Sequence, residues 1–438
     1  MHHCAIIMGR GKISKISFIA ALILCLVDTA AAVEKPKLIL FLIDGLRWDR
    51  YDLNLPNLMT VEENGVKAQW MNGVFLTQSS PSMYSIATGL YPESHGVIHN
   101  LYFDPVTKNR TYSYSEALNI TEWFDTGVEP IWVTAIQAGL KVGNIMYPGA
   151  QKPVKGVLPD KVVPSVPYYW LNYAMRDRID DTVSWLSDED FDLVLLYFDE
   201  PDETLHNYGI GDPRSISKLE EVDENVGYLF QRLEEAGISG VTDVIMVSDH
   251  GHINNELSKK VSLYDYIEPD DVDFIIADYG PIFQLQAVDG KEEEVYQALK
   301  TAHPAMYVYK KEEFPERLHY GNHPRNLPII GFVDPGWHLH TVFNTDNVLA
   351  SDHGYDNQWM VMKSSFYAQG KTFKKGFLSE PIESVDVYNL MCDILNLTPA
   401  PNNGTRARYQ NMLSLATSVK PSMLTLVVVA LKVTLYWL

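Results

Sequence analysis

The stretch Lys37-Leu-Ile-Leu-Phe-Leu-Ile-Asp44-Gly45 places an uninterrupted apolar run directly before an acidic residue and a glycine. Two other runs end in the same way: Leu193–Phe198 precedes Asp199-Glu-Pro-Asp202, and Val244–Val247 leads into Ser248-Asp249-His250-Gly251. Continuous apolar runs of this length are typical of strands that are buried on both faces of a parallel sheet. Because ligands bind beyond the carboxyl ends of such strands, we expect these acidic residues to meet in one crevice.

The rest of the chain alternates strand-like runs with helical patterns. Phe274–Ile276 and Pro328–Phe332 resemble strands, and residues 214–236 keep apolar side chains three or four positions apart, as in a helix with one buried face. Further helical patterns cover 59–64, 80–89, 130–139, 171–186, 291–302 and 383–395. This alternation predicts an α/β fold with a mostly parallel central sheet and helices on both faces. One catalytic domain, residues 33–410, accounts for the pattern.

Charge limits the partners that the protein can bind. The chain has 438 residues and a formal net charge of −21. An acidic surface repels a nucleic-acid polymer or an anionic membrane, so neither is expected to bind the protein as a whole. A small phosphoester remains possible as a substrate, because bound metal ions can supply positive charge locally.

The first 32 residues have the features of a cleaved signal peptide. A basic start with Arg10, Lys12 and Lys15 is followed by the apolar run Ile16–Val27 and by small residues at Ala30-Ala-Ala32. The alternative is a short membrane anchor, although the run is shorter than the roughly 20 residues that a membrane span needs.

Residues 411–438 resemble the signal for a glycosylphosphatidylinositol (GPI) anchor. Small residues near Ser414 precede a spacer and the apolar tail Met423–Leu438, which is interrupted only by Lys432. The alternative is a type I transmembrane helix, but the tail is short and lacks a basic segment after it. These features predict a protein held on the extracellular face of the plasma membrane.

Two further features concern export. Four asparagines occupy glycosylation sequons, namely Asn109, Asn119, Asn396 and Asn403. Cys392 is the one cysteine left after removal of a signal peptide, and its apolar neighbours Leu390 and Met391 predict a buried, inert thiol.

Acidic residues and histidines together suggest a metal site. Carboxylates gathered in one crevice repel one another unless a cation lies between them. His206 follows Asp202 by four residues, which puts both side chains on one face of a helix. His250 adjoins Asp249, and His353 lies in a turn-like loop. A mixture of aspartate oxygens and histidine nitrogens suits zinc. His252, His338 and His340 are expected to lie outside the ligand set, and His95 to order a turn.

The segment 77–92 resembles a loop that enters a helix, with Ser79 near the helix N-terminus. Unpaired N–H groups at that position favour a bound anion such as phosphate, which would make Ser79 a candidate nucleophile. A structural alternative is that Ser79 or Ser80 only caps the helix. The local pattern alone favours the cap.

Most of residues 37–410 also carry motifs that occur together in one family. They are Asp44-Gly45, Thr88-Gly-Leu-Tyr-Pro-Glu-Ser-His-Gly96, Asn100, Glu129-Pro-Ile-Trp-Val-Thr134, Glu200-Pro-Asp-x-x-x-His206, Ser248-Asp-His-Gly251, His353-Gly-Tyr-Asp-Asn357, Asn389-Leu-Met-Cys-Asp393 and Thr398-Pro-Ala-Pro-Asn-Asn-Gly-Thr405. With them the chain resembles the short, catalytic-domain-only branch of the ectonucleotide pyrophosphatase/phosphodiesterase family, within the alkaline phosphatase superfamily.

The resemblance implies two zinc ions and a role for each site residue. One zinc would be held by Asp202, His206 and His353, and the other by Asp44, Asp249 and His250, with the oxygen of the nucleophile Ser79 beside it. Asn100 would donate to a phosphoryl oxygen. Tyr147 and Tyr169 would line the substrate pocket.

The implied reaction is hydrolysis of phosphodiester or pyrophosphate bonds in nucleotides such as ATP, ADP, NAD and dinucleoside polyphosphates, through a phosphoseryl intermediate. Ser80 stands where the family usually has an aromatic residue, and Ser82 where it usually has asparagine. The altered pocket leaves open a choline-specific glycerophosphodiesterase or lysophospholipase C. A phosphomonoesterase and a non-catalytic surface protein are further alternatives.

Overall fold

A computed structural model of the protein describes residues 35–277, 279–340 and 348–414. The predicted signal peptide and residues 415–438 of the predicted anchor signal lie outside the described residues. The strands of the two large sheets are, in chain order, β1 (Lys37–Ile43), β2 (Val66–Ala68), β3 (Val142–Ile145), β4 (Lys161–Val163), β5 (Leu193–Phe198), β6 (Thr242–Val247), β7 (Val272–Ile276), β8 (Ile282–Ala287), β9 (Met306–Lys310), β10 (Ile329–Val333), β11 (Phe366–Gln369) and β12 (Phe377–Ser379).

Helices of six or more residues connect most of these strands. They are α1 (Pro56–Asn64), α2 (Ser79–Thr88), α3 (Ile131–Gln137), α4 (Pro167–Asn172), α5 (Met175–Ser187), α6 (Asp202–Tyr208), α7 (Pro213–Glu235), α8 (Glu292–Lys300) and α9 (Asp386–Leu395). Shorter α-helical turns lie at Pro92–His95, Tyr114–Ala117, Thr121–Phe124 and Arg406–Tyr409, and short paired strands at Met71–Asn72, Ile253–Asn254, Lys260–Ser262, His338–His340, Ser351–Asp352 and Ile382–Glu383.

The central sheet has eight strands in the order β12-β2-β11-β6-β1-β5-β3-β4. β1 lies at its middle and pairs in parallel with both β5 and β6. β11 is antiparallel to β6 and β2, so the sheet is mostly parallel, as predicted. Leu38 to Ile43 are almost fully buried, because the sheet is covered on both faces.

Helices pack on the sheet in two groups. α5 contacts β5, α1 contacts β11, and α7 packs against both helices. In the other group α9 contacts β1 and packs against α2 and α3. The predicted fold class is therefore confirmed. Among the described residues, no helix combines the length and the apolar character that crossing a membrane requires.

Two details differ from the sequence prediction. The predicted strands at Phe274–Ile276 and Pro328–Phe332 do not join the central sheet, because they belong to a separate antiparallel sheet in the order β7-β8-β10-β9. The single helix predicted at 171–186 is two helices, since Tyr173 and Ala174 are extended and interrupt it.

The predicted modification sites and the cysteine can also be placed. Asn109, Asn119, Asn396 and Asn403 are all exposed. Cys392 is a buried free thiol in α9, and burial raises its pKa to about 12, as expected for an inert thiol.

Candidate active site

The three central strands bring the predicted acidic residues to one edge of the sheet. Ile43 of β1 pairs with Phe198 of β5, and Leu42 pairs with Val247 of β6, so the strands end side by side. Asp44 directly follows β1 and Asp249 lies two residues beyond β6. The chain after β5 starts α6 at Asp202, which places His206 one turn further along the same helix.

A first cluster joins Asp44, Asp249 and His250. The His250 Nε2 atom lies 3.3 Å from Asp44 Oδ1 and 3.2 Å from Asp249 Oδ2. The other oxygen of each carboxylate is held: Asp44 Oδ2 accepts from the Tyr197 hydroxyl at 2.6 Å, and Asp249 Oδ1 accepts from the Gly45 N–H at 3.1 Å. Asp44 Oδ1 and Asp249 Oδ2 are buried and have no partner among the described residues.

A second cluster joins Asp202, His206 and His353. The two histidine Nε2 atoms lie 3.1 Å apart, and the Asp202 oxygens lie 3.4 Å from His206 Nε2 and 3.5 Å from His353 Nε2. Stacked rings of His250 and His353, with centroids 3.5 Å apart, connect this cluster to the first.

The histidine tautomers fit metal binding. The Nδ1 atoms of His206, His250 and His353 face the carbonyl oxygens of Ser351, Gly251 and Thr77 at 2.8, 3.3 and 2.8 Å. Each Nδ1 therefore carries the proton, and each Nε2 presents a lone pair to the cluster. Two lone pairs 3.1 Å apart and two unpaired buried carboxylate oxygens repel one another unless a cation lies between them. Among the described residues, three overlapping sets of Asp and His side chains could hold a metal ion: Asp44, Asp249 and His250; Asp202, His250, His252 and His353; and His206, Asp352 and His353.

Burial and charge shift the pKa values of four cluster residues toward their uncharged forms. Burial, and then the negative charge of Asp202, raises the pKa of Asp249 to about 7. Burial, followed by the charges of Asp249 and Asp202, also raises the pKa of Asp44. Burial lowers the pKa of His250 to about 3 and that of His353 below its usual range. A nearby cation would favour the charged carboxylates and the neutral imidazoles.

Ser79 lies at the entrance to this cluster. It is the first residue of α2, it is 4% exposed, and its Oγ atom is 3.4 Å from His250 Nε2. The residue at the N-cap is Gln78, which makes no side-chain capping bond. The capping alternative, which the local sequence favoured, is therefore wrong. Ser79 combines a helix N-terminus with a position beside the Asp/His cluster.

The three predicted substrate-binding residues lie in different surroundings. Asn100 accepts from the Ser80 N–H through Oδ1 at 2.7 Å, which leaves its Nδ2 donor without a partner among the described residues. Tyr147 is fully buried in the core, and its hydroxyl donates to the Met83 carbonyl at 2.7 Å. Tyr169 is half-buried in α4 between Tyr168 and Tyr173. The structure does not bring Tyr147 or Tyr169 to the cavity wall.

An open cavity of about 620 Å³ lies over Ser79 and both clusters. Trp170, the neighbour of Tyr169, faces it, as do Tyr114, Tyr197 and Tyr279. His338 and His340, interpreted from the sequence as ordinary strand residues, line its outer part. Glu203 and Asp199 add carboxylates to the wall, and Asp199 is paired with Arg178 at 2.6 Å.

Two further residues contact the clusters: Tyr197, which was not predicted, and His252, which the sequence placed outside the ligand set as a supporting or surface histidine. Tyr197 orients Asp44, and its one sequence signal is a hydroxyl near the end of an apolar strand. His252 is buried, and its Nε2 lies 2.6 Å from Asp202 Oδ1, a hydrogen-bond distance that fixes this carboxylate. Gly45 makes the close approach possible: it has a φ of +74°, and a Cβ there would lie 3.1 Å from Asp202 and 3.2 Å from His252.

Comparison with known proteins supports one family. A family model for type I phosphodiesterase/nucleotide pyrophosphatase matches residues 38–356. The chain belongs to this family. It is 38% identical over 414 residues to mouse ectonucleotide pyrophosphatase/phosphodiesterase family member 7, covering 93% of each chain. It is 32% identical to the bis(5'-adenosyl)-triphosphatase of Xenopus laevis, covering 92% of this chain and 87% of the relative.

A solved structure agrees with this assignment. Inactive murine ectonucleotide pyrophosphatase/phosphodiesterase 5 in complex with AMP superposes with a TM-score of 0.81 at 33% identity, covering 87% of this chain and all of the other. The resemblance stated from the motifs is confirmed, and the protein is an enzyme of the nucleotide pyrophosphatase/phosphodiesterase class.

Proposed function

We propose that the protein is a two-zinc enzyme that hydrolyses phosphodiester or pyrophosphate bonds in extracellular nucleotides through a phosphoserine at Ser79. The observation that carries the proposal is the position of Ser79 Oγ, 3.4 Å from His250 Nε2 at the N-terminus of α2. A hydroxyl beside a metal-type cluster, on a helix end that attracts anions, is suited to attack a phosphoryl group.

The clusters divide into two ligand sets. Asp202, His206 and His353 would hold one zinc ion, and Asp44, Asp249 and His250 the other, with Ser79 Oγ beside the second. When bound, the zinc ions supply positive charge that lowers the pKa of the Ser79 hydroxyl and offsets charge on the phosphoryl oxygens. Tyr197 and His252 support this arrangement, because their contacts at 2.6 Å fix the rotamers of Asp44 and Asp202.

The chain supplies the nucleophile and the orientation of the substrate. Ser79 loses its proton to water, Oγ forms a bond to phosphorus, and the bond from phosphorus to the leaving oxygen breaks. Asn100 Nδ2 donates to a phosphoryl oxygen, since its Oδ1 is occupied by the Ser80 N–H. Water then attacks the phosphoserine, which releases the phosphate monoester and restores the Ser79 hydroxyl.

The substrates of similar proteins favour nucleotides as the substrates of this enzyme. One is named a bis(5'-adenosyl)-triphosphatase, and a solved neighbour holds AMP. The cavity wall favours a second candidate, a choline phosphodiesterase. Tyr114, Trp170 and Tyr197 face the cavity together with Glu203, and aromatic faces with a carboxylate attract a quaternary ammonium group.

A substrate pair separates the two candidates. The nucleotide proposal predicts that purified protein with zinc cleaves p-nitrophenyl thymidine monophosphate at least about tenfold more efficiently than p-nitrophenyl phosphorylcholine, a preference of about 1.4 kcal/mol. The comparison is made in kcat/KM, measured from nitrophenol release. The reverse preference would establish the choline enzyme, and p-nitrophenyl phosphate cleaved fastest would contradict both.

The location of the enzyme is also proposed from the sequence. Cleavage of the signal peptide, glycans at the four exposed sequon asparagines and a GPI anchor would place the enzyme on the extracellular face of the plasma membrane. Phosphatidylinositol-specific phospholipase C should then release most of the surface activity from intact cells into the medium. Retention of the activity after this treatment would instead indicate a transmembrane helix.

A further inference from the structure

Tyr114 has a buried hydroxyl that makes no well-formed hydrogen bond among the described residues. The residue begins the short helix Tyr114–Ala117, which Ser113 caps by accepting from the Glu116 N–H at 3.3 Å. Its ring packs against the hydrophobic core, yet its hydroxyl oxygen is buried and has no partner among the described residues. A buried hydroxyl without a partner is unfavourable, so a ligand is the natural acceptor.

Tyr114 and the proposed nucleophile share one cavity. Tyr114 lines the same cavity as Ser79, Asp44 and Tyr197. Burial raises the pKa of Tyr114, and the negative charge of Asp44 raises it further, whereas a weak hydrogen-bonding interaction with the Ser80 side chain lowers it. The hydroxyl therefore stays protonated over the whole physiological range.

Two other buried tyrosines near Ser79, Tyr197 and Tyr147, use their hydroxyls within the fold. The Tyr197 hydroxyl is occupied by Asp44 Oδ2, and the Tyr147 hydroxyl by the Met83 carbonyl. Ser80 Oγ and Asn100 Nδ2 are also buried without a partner among the described residues, and Asn100 Oδ1 accepts from the Ser80 N–H, so these polar atoms lie close to the residue after Ser79. Such a group of unused donors is the arrangement expected where charge develops on an oxygen during a reaction.

We propose that the Tyr114 hydroxyl donates a hydrogen bond to one non-bridging oxygen of the phosphoryl group attacked by Ser79, which makes Tyr114 a catalytic residue. The proposal rests on the proposed function for the identity of the reacting group. The donor is held in place before the substrate arrives, because the ring is packed and the helix is capped. The Tyr114 hydroxyl contacts one of the two non-bridging oxygens and not the other, so its contribution is stereospecific.

The test uses Tyr114→Phe, which removes only the hydroxyl, and Tyr112→Phe as control, since Tyr112 is 76% exposed. The zinc-loaded full chain is assayed on the better p-nitrophenyl diester and on its two phosphorothioate diastereomers. Tyr114→Phe should lower kcat/KM for the oxygen diester by about 100-fold. The substitution should lower kcat/KM by a similar factor for one phosphorothioate diastereomer. For the isomer whose sulfur replaces the accepting oxygen, the loss should be less than about threefold, because sulfur accepts hydrogen bonds weakly.

Each outcome decides the proposal. Equal losses on all three substrates would show a structural role and overturn it, as would an effect of Tyr114→Phe no larger than that of Tyr112→Phe. If the wild-type protein cleaves neither diester, the proposed function fails, and vanadate binding to the zinc-loaded protein is measured instead by calorimetry. A vanadate Kd raised about tenfold or more by Tyr114→Phe would still support the donor, and an unchanged Kd would overturn it.

Discussion

Ser79→Ala should reduce kcat/KM for the preferred phosphodiester by at least about 1000-fold, because removal of the proposed nucleophile would leave only binding and charge stabilisation. The Oγ atom lies 3.4 Å from His250 Nε2, and it is the serine oxygen on the cavity wall at the start of α2. Ser79→Thr keeps a hydroxyl and should retain most of the activity. The measurement is nitrophenol release by purified, zinc-loaded protein.

Ser82→Ala is the matched control for this experiment. Ser82 lies three residues later in the same helix, and its Oγ is likewise buried without a partner among the described residues, but it does not line the cavity. Its activity should stay within a few-fold of wild type. Trapping the reaction during turnover should give a phosphopeptide that contains Ser79. Full activity in Ser79→Ala would assign the attack on phosphorus to another group, such as water.

The carboxylates of the site could be predicted because strand ends converge for a general reason. β1, β5 and β6 are continuous apolar runs, and the residue types that follow them are visible in the sequence. Parallel neighbours end at the same edge, so Asp44 and Asp249 had to approach each other. The short strand β3 was missed because Gly143 and Asn144 interrupt its apolar character, although it is fully buried beside β5.

The tyrosines of the site could not be predicted, because their contacts are tertiary. Tyr197 meets Asp44 across 153 residues of sequence, and no spacing encodes that contact. For Tyr147 the family resemblance implied a pocket position, but its hydroxyl donates to the Met83 carbonyl inside the core. The cap assigned to Ser79 failed because propensity at a helix start does not show which residue is the N-cap.

Chelation of the metal should abolish hydrolysis and lower the midpoint of thermal unfolding, and zinc should restore both. The reason is that the carboxylates of Asp44, Asp202 and Asp249 are crowded in a buried site where burial raises the pKa of Asp44 and Asp249. A metal ion that binds only the folded chain stabilises it by about 2.7 kcal/mol per site at a free concentration of 100 times its Kd. Calorimetry at several zinc concentrations measures this dependence.

Substitution of a single aspartate should remove zinc from one proposed site and leave the other site occupied. Asp249→Asn and Asp202→Asn should each lose about one zinc per chain by elemental analysis, whereas Glu203→Gln, on the same cavity wall, should lose none. Asp249→Asn removes a buried negative charge, so without metal this variant should be at least as stable as the wild type, although it gains less stability from zinc. A variant that was merely damaged would be less stable under both conditions. Equal stabilisation of wild type and both aspartate variants by zinc would show that these carboxylates do not hold the metal.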